Sequence, residues 1–256
     1  MIEKLKPRLV PKKEWGGEVW FEGSHDSPLL VKYIFTTGKL SVQVHPDDAY
    51  ARSQGSPRGK TEMWHVVSAQ AGAKVAAGFR EPISEQRLRE AALSGEIVDL
   101  LAWHEARPGD TFFIPAGTVH AIGEGLVLCE IQQHSDITYR LYDYGRAREL
   151  HLEHAMRVAR RGPCAARIAA REGVLVACEH FTTEKLVIDG AEDGAEDGAE
   201  DGPQRRTTVA GELWVVLEGS GEVAGVPISA GEVVSLSSAS AVVFEGRAGI
   251  LRVVAG

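Results

Sequence analysis

At 256 residues, 44% hydrophobic and 25% charged, the chain is long enough to bury one large core or two modest ones and too apolar to be disordered. A formal net charge of −8 excludes a sequence-wide basic field for nucleic acid or an anionic membrane, so a bound phosphate must be met by a local cluster of Lys and Arg. Cys129, Cys164 and Cys178 are odd in number and lack C-x-x-C spacing, which argues against a disulfide framework and a thiolate metal site. The N-terminus MIEKLKPRLV has no apolar export core, and no stretch approaches the ~20 apolar residues of a membrane span. The expectation is a cytoplasmic chain with free thiols.

In chain order, the turn signals Pro7, Pro11 and Trp15-Gly16-Gly17 precede short strands at Glu18–Phe21 and Leu29–Phe35. Leu40–Asp48, LSVQVHPDD, reads as a strand whose period-two alternation sends Ser41, Gln43 and His45 to one face and Val42 and Val44 to the other, with Pro46 and two aspartates stopping it. Gly59–Val67, GKTEMWHVV, is a second strand with Lys60 and Glu62 on a common face, followed by a short apolar strand at Lys74–Gly78. Ser84–Leu93 has helix formers and an Ile83, Leu88, Ala92 face, and Glu96–Trp103 is expected as a second short helix. Strands return at Thr111–Ile114, Leu126–Gln132 and Thr138–Tyr142. Within GDTFFIPAGTVH the Pro-Ala-Gly turn presents His120. Short strands joined by turns, with one helical insertion, predict an antiparallel barrel or sandwich.

Past Asp143 the pattern changes. Leu150–Arg161 reads as a basic helix and Val174–Ile188 as two strand-like runs. AEDG, repeated over 191–202, has no apolar face and is expected as a solvated, mobile loop. Strand-like runs at Glu212–Leu217, Gly221–Ala224, Gly231–Leu236 and Ala241–Ala255 predict a second, smaller β unit. Its Gly231-Glu232 stands where the first unit has Gly109-Asp110, but SLSSAS replaces IPAGTVH, and no His or Glu fills the metal positions. The second unit is therefore expected to keep the fold without a site.

Gln43, His45, Glu62 and His120 offer one amide oxygen, two imidazoles and one carboxylate, a mixed nitrogen and oxygen set suited to a divalent first-row metal such as zinc. His65 is three residues from Glu62 and belongs to the opposite strand face. His104, His151, His154 and His180 lack partners at useful spacing and read as surface residues, and Trp15, Trp20, Trp64 and Trp103 as packing.

At this point the motifs carry a resemblance. The spacing from Gly109 through Pro115-x-Gly117 to His120 is the second cupin motif, and SVQVHPDD, GKTEMW, GDTFFIPAGTVHAIG and EIQQHSDITYRLYDYGR together resemble the short bacterial form of the type I mannose-6-phosphate isomerase family. The likeness runs from about Trp15 to Arg146 and is weaker beyond. It implies a mainly β protein of two cupin-like, jelly-roll barrels with a small helical insertion near 84–103, the second barrel degenerate and metal-free. The corresponding division is a catalytic domain at 1–146, a helical connector at 147–172 and a smaller β domain at 173–256.

The resemblance further implies zinc held by Gln43, His45, Glu62 and His120, and reversible aldose–ketose isomerisation of mannose 6-phosphate and fructose 6-phosphate. Arg140 matches the family's active-site arginine, Lys60 its GK-x-E lysine and Glu130 the carboxylate of EIQQ; Ser41 and Arg146 fall near the phosphate. Moving a proton between C2 and C1 needs a base, and a Lys60 pKa lowered by neighbouring positive charge would suit it; Glu130 is the other candidate, and the transfer is assigned to them jointly. His134 departs from the family pattern. The alternatives are an iron-dependent cupin oxygenase, which would not need the cations Lys60, Arg140 and Arg146, and a non-catalytic sugar-phosphate-binding cupin. A phosphosugar is the expected partner, with neither nucleic acid nor membrane.

Overall fold

The computed structural model describes residues 2–23, 27–169, 173–190, 204–239 and 241–256; the AEDG stretch lies outside them. The described residues are mainly antiparallel β with four short helices, none long and apolar enough to cross a membrane, and the three cysteines are free. The chain forms two compact units, one of Arg8–Trp20 with Pro28–Ile168, the other of Met1–Pro7, Phe21–Ser27 and Ala169–Gly256.

In the larger unit a seven-stranded sheet runs in the order Arg167–Ile168, Thr111–Ile114, Glu62–Ala69, Leu126–Gln133, Leu29–Thr36, Gly16–Glu22, Pro7–Leu9. A five-stranded sheet runs Tyr139–Tyr142, Val42–Val44, His120–Ile122, Lys74–Phe79, Leu101–Glu105. Trp64, Phe112, Ile114 and Leu128 from the first sheet share one buried cluster with Val75, Ala77 and Ile122 from the second. The other face of the five-stranded sheet sends Val42, Val44, Ala76, Ala121 and Leu141 against Leu88, Ala91 and Ala92 of the helix Glu85–Ser94 and Ala155 and Met156 of the helix Leu152–Val158. Strand alternation does this sorting: Val42 and Val44 meet the helices, and Gln43 is left for the face between the sheets.

Local chemistry sets the helix ends. Ser84 Oγ accepts from Arg87 N and Gly95, at φ 86°, stops the helix Glu85–Ser94 in the left-handed region. The expected second helix shrinks to Ile97–Leu100, and Leu101–Glu105 is a strand paired with Lys74–Phe79. The open edge of that partner decides the matter, because a five-residue run of mixed polarity carries no helical preference of its own. The aspartates after His45 begin a helix, Asp48–Ser53, with Asp47 accepting from Tyr50 N at 2.9 Å as its N-cap. Asp48 Oδ1 then accepts from Gly59 N and from Gln133 Nε2, both at 2.8 Å, while Lys60 N donates to Pro46 O and Gly117 N to His45 O. Four chain segments that look unrelated in sequence are thereby knotted around His45.

The smaller unit has an eight-stranded sheet, of which Ile2–Lys4, Val233–Leu236, Glu212–Val223, Ala241–Ala255, Phe181–Gly190 and Val174–Ala177 are successive neighbours. Gly221–Ala224 is not a separate strand but the end of Glu212–Val223. Its registers coincide with those of the larger unit. Glu212 faces Leu236 as Glu62 faces Ile114, and the series Trp214, Arg252, Glu184 across three strands matches Trp64, Glu130, Lys32. Each ladder is interrupted by one extra residue, Leu217 in the smaller unit and Val67 in the larger. Gly231 N donates to Val216 O, and Gly109 N to Val66 O, both at 2.8 Å. Where the larger unit inserts its two helices between paired strands, the smaller turns at Ala224-Gly225, both with positive φ, so that Val223 pairs Val226. The sequence reading missed that Glu212 occupies the position of Glu62.

The Asp47 and Asp48 roles differ enough to separate by urea unfolding. Asp47→Ala should cost about 1 kcal/mol, the loss of one cap. Asp48→Ala should cost about 2 kcal/mol, because it strands two partly buried donors; equal costs would refute the knot.

Candidate metal centre

His45 follows the strand Val42–Val44, and its Nδ1 sits 2.9 Å from Ile137 O. His120 opens the adjacent strand, its Nδ1 2.9 Å from Thr118 O. A carbonyl only accepts, so both rings carry their proton on Nδ1 and turn a bare Nε2 inward. Both lone pairs point at Glu62: His45 Nε2 is 3.5 Å from Oε2 and His120 Nε2 is 3.4 Å from Oε1. The three side chains are each about 1% exposed, and their ligand atoms lie within 4.8 Å of one another. His45 Nε2 and both Glu62 oxygens make no hydrogen bond. Three lone-pair faces aimed at one another are unfavourable unless a cation joins them, and their ligand types suit zinc-like metals.

The electrostatics agree. Burial, with Lys60 beside it, holds His45 well below the ordinary imidazole range, and burial brings His120 down to about 4, so both rings are neutral at pH 7. Burial, reinforced by Glu130, pushes Glu62 up to about 7. Gln43 pairs with His120 across the sheet but turns its nitrogen to it, Nε2 3.2 Å from His120 Nε2, while its Oε1 accepts from Ser41 Oγ. Three of the four expected ligands therefore present lone pairs inward, and Gln43 joins them if its amide turns over.

Lys60 Nζ lies 3.2 Å from Glu62 Oε2. Burial is the largest influence and lowers its pKa, but Glu62 and Glu130 outweigh it and the net shift is upward. By the chain's own charges, two carboxylates therefore keep Lys60 an ammonium, whereas the expected lowering belongs to the site with a metal beside it. Glu130 accepts from Trp64 Nε1 at 2.9 Å and pairs with Lys32 at 3.3 Å; despite burial, Lys60 and Lys32 hold its pKa down. Lys32, cross-strand partner of Glu130 and 3% exposed, was missed by the sequence reading. Its signal is a lone lysine inside the apolar run LLVKYIF.

Ser41, Gln43, Lys60 and Arg140 line one cavity of about 220 Å³, together with Lys13, Lys32, Arg148 and the carboxylates of Glu18 and Asp136, five cations against two acids. Glu130 does not line it, and neither do Arg146 or His134. Arg140 Nη1 donates to Glu149 O, its buried Nε has no hydrogen-bond partner, and it makes no ion pair with Asp143 among the described residues. That carboxylate is held instead by Arg146 and Arg148. His65 is buried against Thr111 Oγ1, whereas His151 and His154 are half-buried rather than surface residues: His151 Nδ1 accepts from Arg140 N, and His154 stacks on Tyr139.

No family model matches the chain. A mannose-6-phosphate isomerase of Streptococcus mutans is 41% identical over 177 residues, 64% of this chain and 56% of that protein. The chain spans about half the length of the curated relatives it matches. The crystal structure of the mannose 6-phosphate isomerase from Bacillus subtilis superposes with a TM-score of 0.82 over 98% of both chains at 24% identity. A mannose 6-phosphate isomerase bound with zinc and yttrium gives 0.73 over 99% of each chain at 14% identity. At these identities the structures establish the fold alone. Over the matched stretch the chain is similar in sequence to mannose-6-phosphate isomerases, and along nearly its whole length it shares the fold of those structures.

Proposed function

We propose that the chain interconverts mannose 6-phosphate and fructose 6-phosphate, using one divalent metal, zinc by donor type, held by His45, Glu62 and His120 with Gln43 completing the set. The observation that carries this is the convergence of His45 Nε2 and both Glu62 oxygens, none with a hydrogen-bond partner, on His120 Nε2 beside a mainly cationic cavity. The relatives' names supply the sugar. When bound, the metal polarises the sugar oxygens on which negative charge develops.

The chain's own side chains divide the remaining work. Lys60 faces the cavity as an ammonium and donates its proton to the ring oxygen as the ring opens, the anomeric hydroxyl proton leaving to water. The amine is then neutral; it takes the proton from C2 and returns it at C1 while the O2 proton passes to O1, and closure of the ketose ring gives the ammonium its proton back. Glu130, outside the cavity, holds Lys60 and Lys32 in place by charge, which favours Lys60 as the base. Arg140 keeps a guanidinium, which no carboxylate neutralises, toward the developing enediolate. Ser41 Oγ holds the Gln43 amide, donating to its oxygen as it stands and accepting from its nitrogen once the amide has turned its oxygen to the metal. The catalytic role falls to the part of the chain up to residue 146.

The two units are read as cupin-like barrels, the second degenerate. The support is the shared register, with Glu212 in the place of Glu62. Val242, paired with Arg206, replaces His120, paired with Gln43. Arg252 grips both oxygens of Glu212 at 2.8 and 2.9 Å, supplying from the chain the positive charge that the first unit takes from a metal.

Turnover of mannose 6-phosphate should vanish on chelation and return with zinc, at one zinc per chain. Zinc-loaded protein that binds mannose 6-phosphate without turnover would overturn the isomerase reading. His120→Ala should lower both zinc content and turnover by at least about a hundredfold. Arg252→Met should cost about 3–5 kcal/mol in unfolding free energy by stranding Glu212, with zinc still at one per chain; a variant as stable as the parent would refute the charge role given to Arg252.

A further inference from the structure

Arg146, which the resemblance sets beside the phosphate, is committed to the fold. Its Nε donates to Asp143 O at 3.1 Å, and its Nη2 to Lys39 O at 2.9 Å and to Asp143 Oδ1 at 2.7 Å. It lines a neighbouring cavity of about 410 Å³ and is absent from the wall of the 220 Å³ cavity that contains Gln43 and Lys60. Lys13, Trp15 and Arg148 line both, so these three stand where the two cavities meet.

Arg148 is aimed rather than neutralised. Asp143, 2% exposed, takes its Nε at 2.5 Å and its Nη2 at 2.7 Å, which fixes the plane of the guanidinium and leaves Nη1 for a ligand. The same carboxylate also meets Arg146, whose other acidic neighbour, the exposed Glu14, is 3.9 Å away, so one buried carboxylate serves two guanidinium groups. Lys13, half-exposed and 3.8 Å from Glu18, adds a weakly paired second cation. Arg140 shares the smaller cavity with its buried Nε unpartnered, and repulsion from Arg148 helps lower its pKa after burial. Guanidinium groups that repel one another around a small cavity are stabilised together by an anion between them.

We propose that Arg148 and Lys13, rather than Arg146, anchor the phosphoryl group of the substrate, with Asp143 and Arg146 as the splint that aims Arg148. This rests on the phosphosugar reading above and assigns the ends of its site: the sugar carbons toward Gln43 and Lys60, the phosphomonoester where the two cavities meet. Two cationic groups complement a dianion, and the planar fork of Arg148 suits its oxygens.

The test uses zinc-loaded full-length protein, with calorimetric titration of inorganic phosphate and of mannose 6-phosphate, and turnover assayed in parallel. Arg148→Gln and Lys13→Gln should each weaken both ligands about tenfold or more, raising KM with little change in kcat. Arg146→Gln should lower the melting temperature while changing phosphate affinity less than either. Among the described residues the Lys13 side chain has only a loose ion pair and a 5.4 Å approach to the Trp15 ring, so its variant still decides the matter should Arg148→Gln fail to fold. Phosphate binding unchanged in Lys13→Gln, or lost chiefly in Arg146→Gln, would overturn the assignment. Phosphate binding that depends on Arg148 in a protein without turnover would sustain the anchor and remove the isomerase reading instead.

Discussion

A buried carboxylate with two imidazole lone pairs aimed at it is the constraint around which the larger unit is arranged. Neither ring can relieve it by shifting its proton, because each Nδ1 is already held by a backbone carbonyl. Lys60 answers part of the charge from one side. Around it, Glu62 and Glu130 face Lys32 and Lys60, all four no more than about 5% exposed, so the interior is balanced as it stands. A divalent cation added to a balanced interior makes it positive, and the cavity beside it opens onto further arginine and lysine. With a metal bound, the excess positive charge would be balanced by an entering anion, which the phosphosugar proposed above would supply.

Register does the positioning. His120 pairs with Gln43 in one sheet, and in the other Glu62 pairs with Gln132 while Trp64 pairs with Glu130 and Glu130 with Lys32. A slip of one residue in any of these ladders would send its site residue to the opposite face, so the hydrophobic sorting that fixes register also fixes the site. Val42 and Val44 packing against the helices is therefore what holds Gln43 toward His120. The knot at Asp47 and Asp48 does the same for His45, which lies beyond the end of its strand and has no ladder to hold it.

What was legible in the sequence follows this division. Period-two spacing placed Gln43, His45, Lys60 and Glu62, and the Gly-to-His spacing placed His120, since both are short-range patterns. Lys32 was hidden because its partner, Glu130, is remote in sequence and a lysine in a strand reads by default as solvated. Arg148 was hidden because the family's motif ends at Arg146, and only the shared Asp143 distinguishes a guanidinium bound into the fold from one aimed at a cavity. The helix after His45 was missed because Asp-Asp serves equally as a stop and as a cap; the Tyr50 amide decides it. The direction of the Lys60 shift needed the count of surrounding charges, which no spacing supplies.

Glu212 is the internal control for reading Glu62. Both stand at the same register position, followed two residues on by a tryptophan, and both are buried. Around Glu212 every demand is met within the chain: Arg252 on both oxygens, the Trp214 indole on Oε1 and Val209 N at 3.0 Å on Oε2. Its pKa is accordingly lowered even though burial, the largest influence, raises it. Around Glu62 the corresponding tryptophan donates to Glu130 instead, the position of Arg252 is Glu130 itself, and the carboxyl is raised to about 7. One backbone thus carries the same carboxylate in two electrostatic settings. Burial alone does not mark a functional group, since it is common to both; what singles out Glu62 is that the chain, having the means to satisfy a carboxylate at this position, leaves this one unsatisfied.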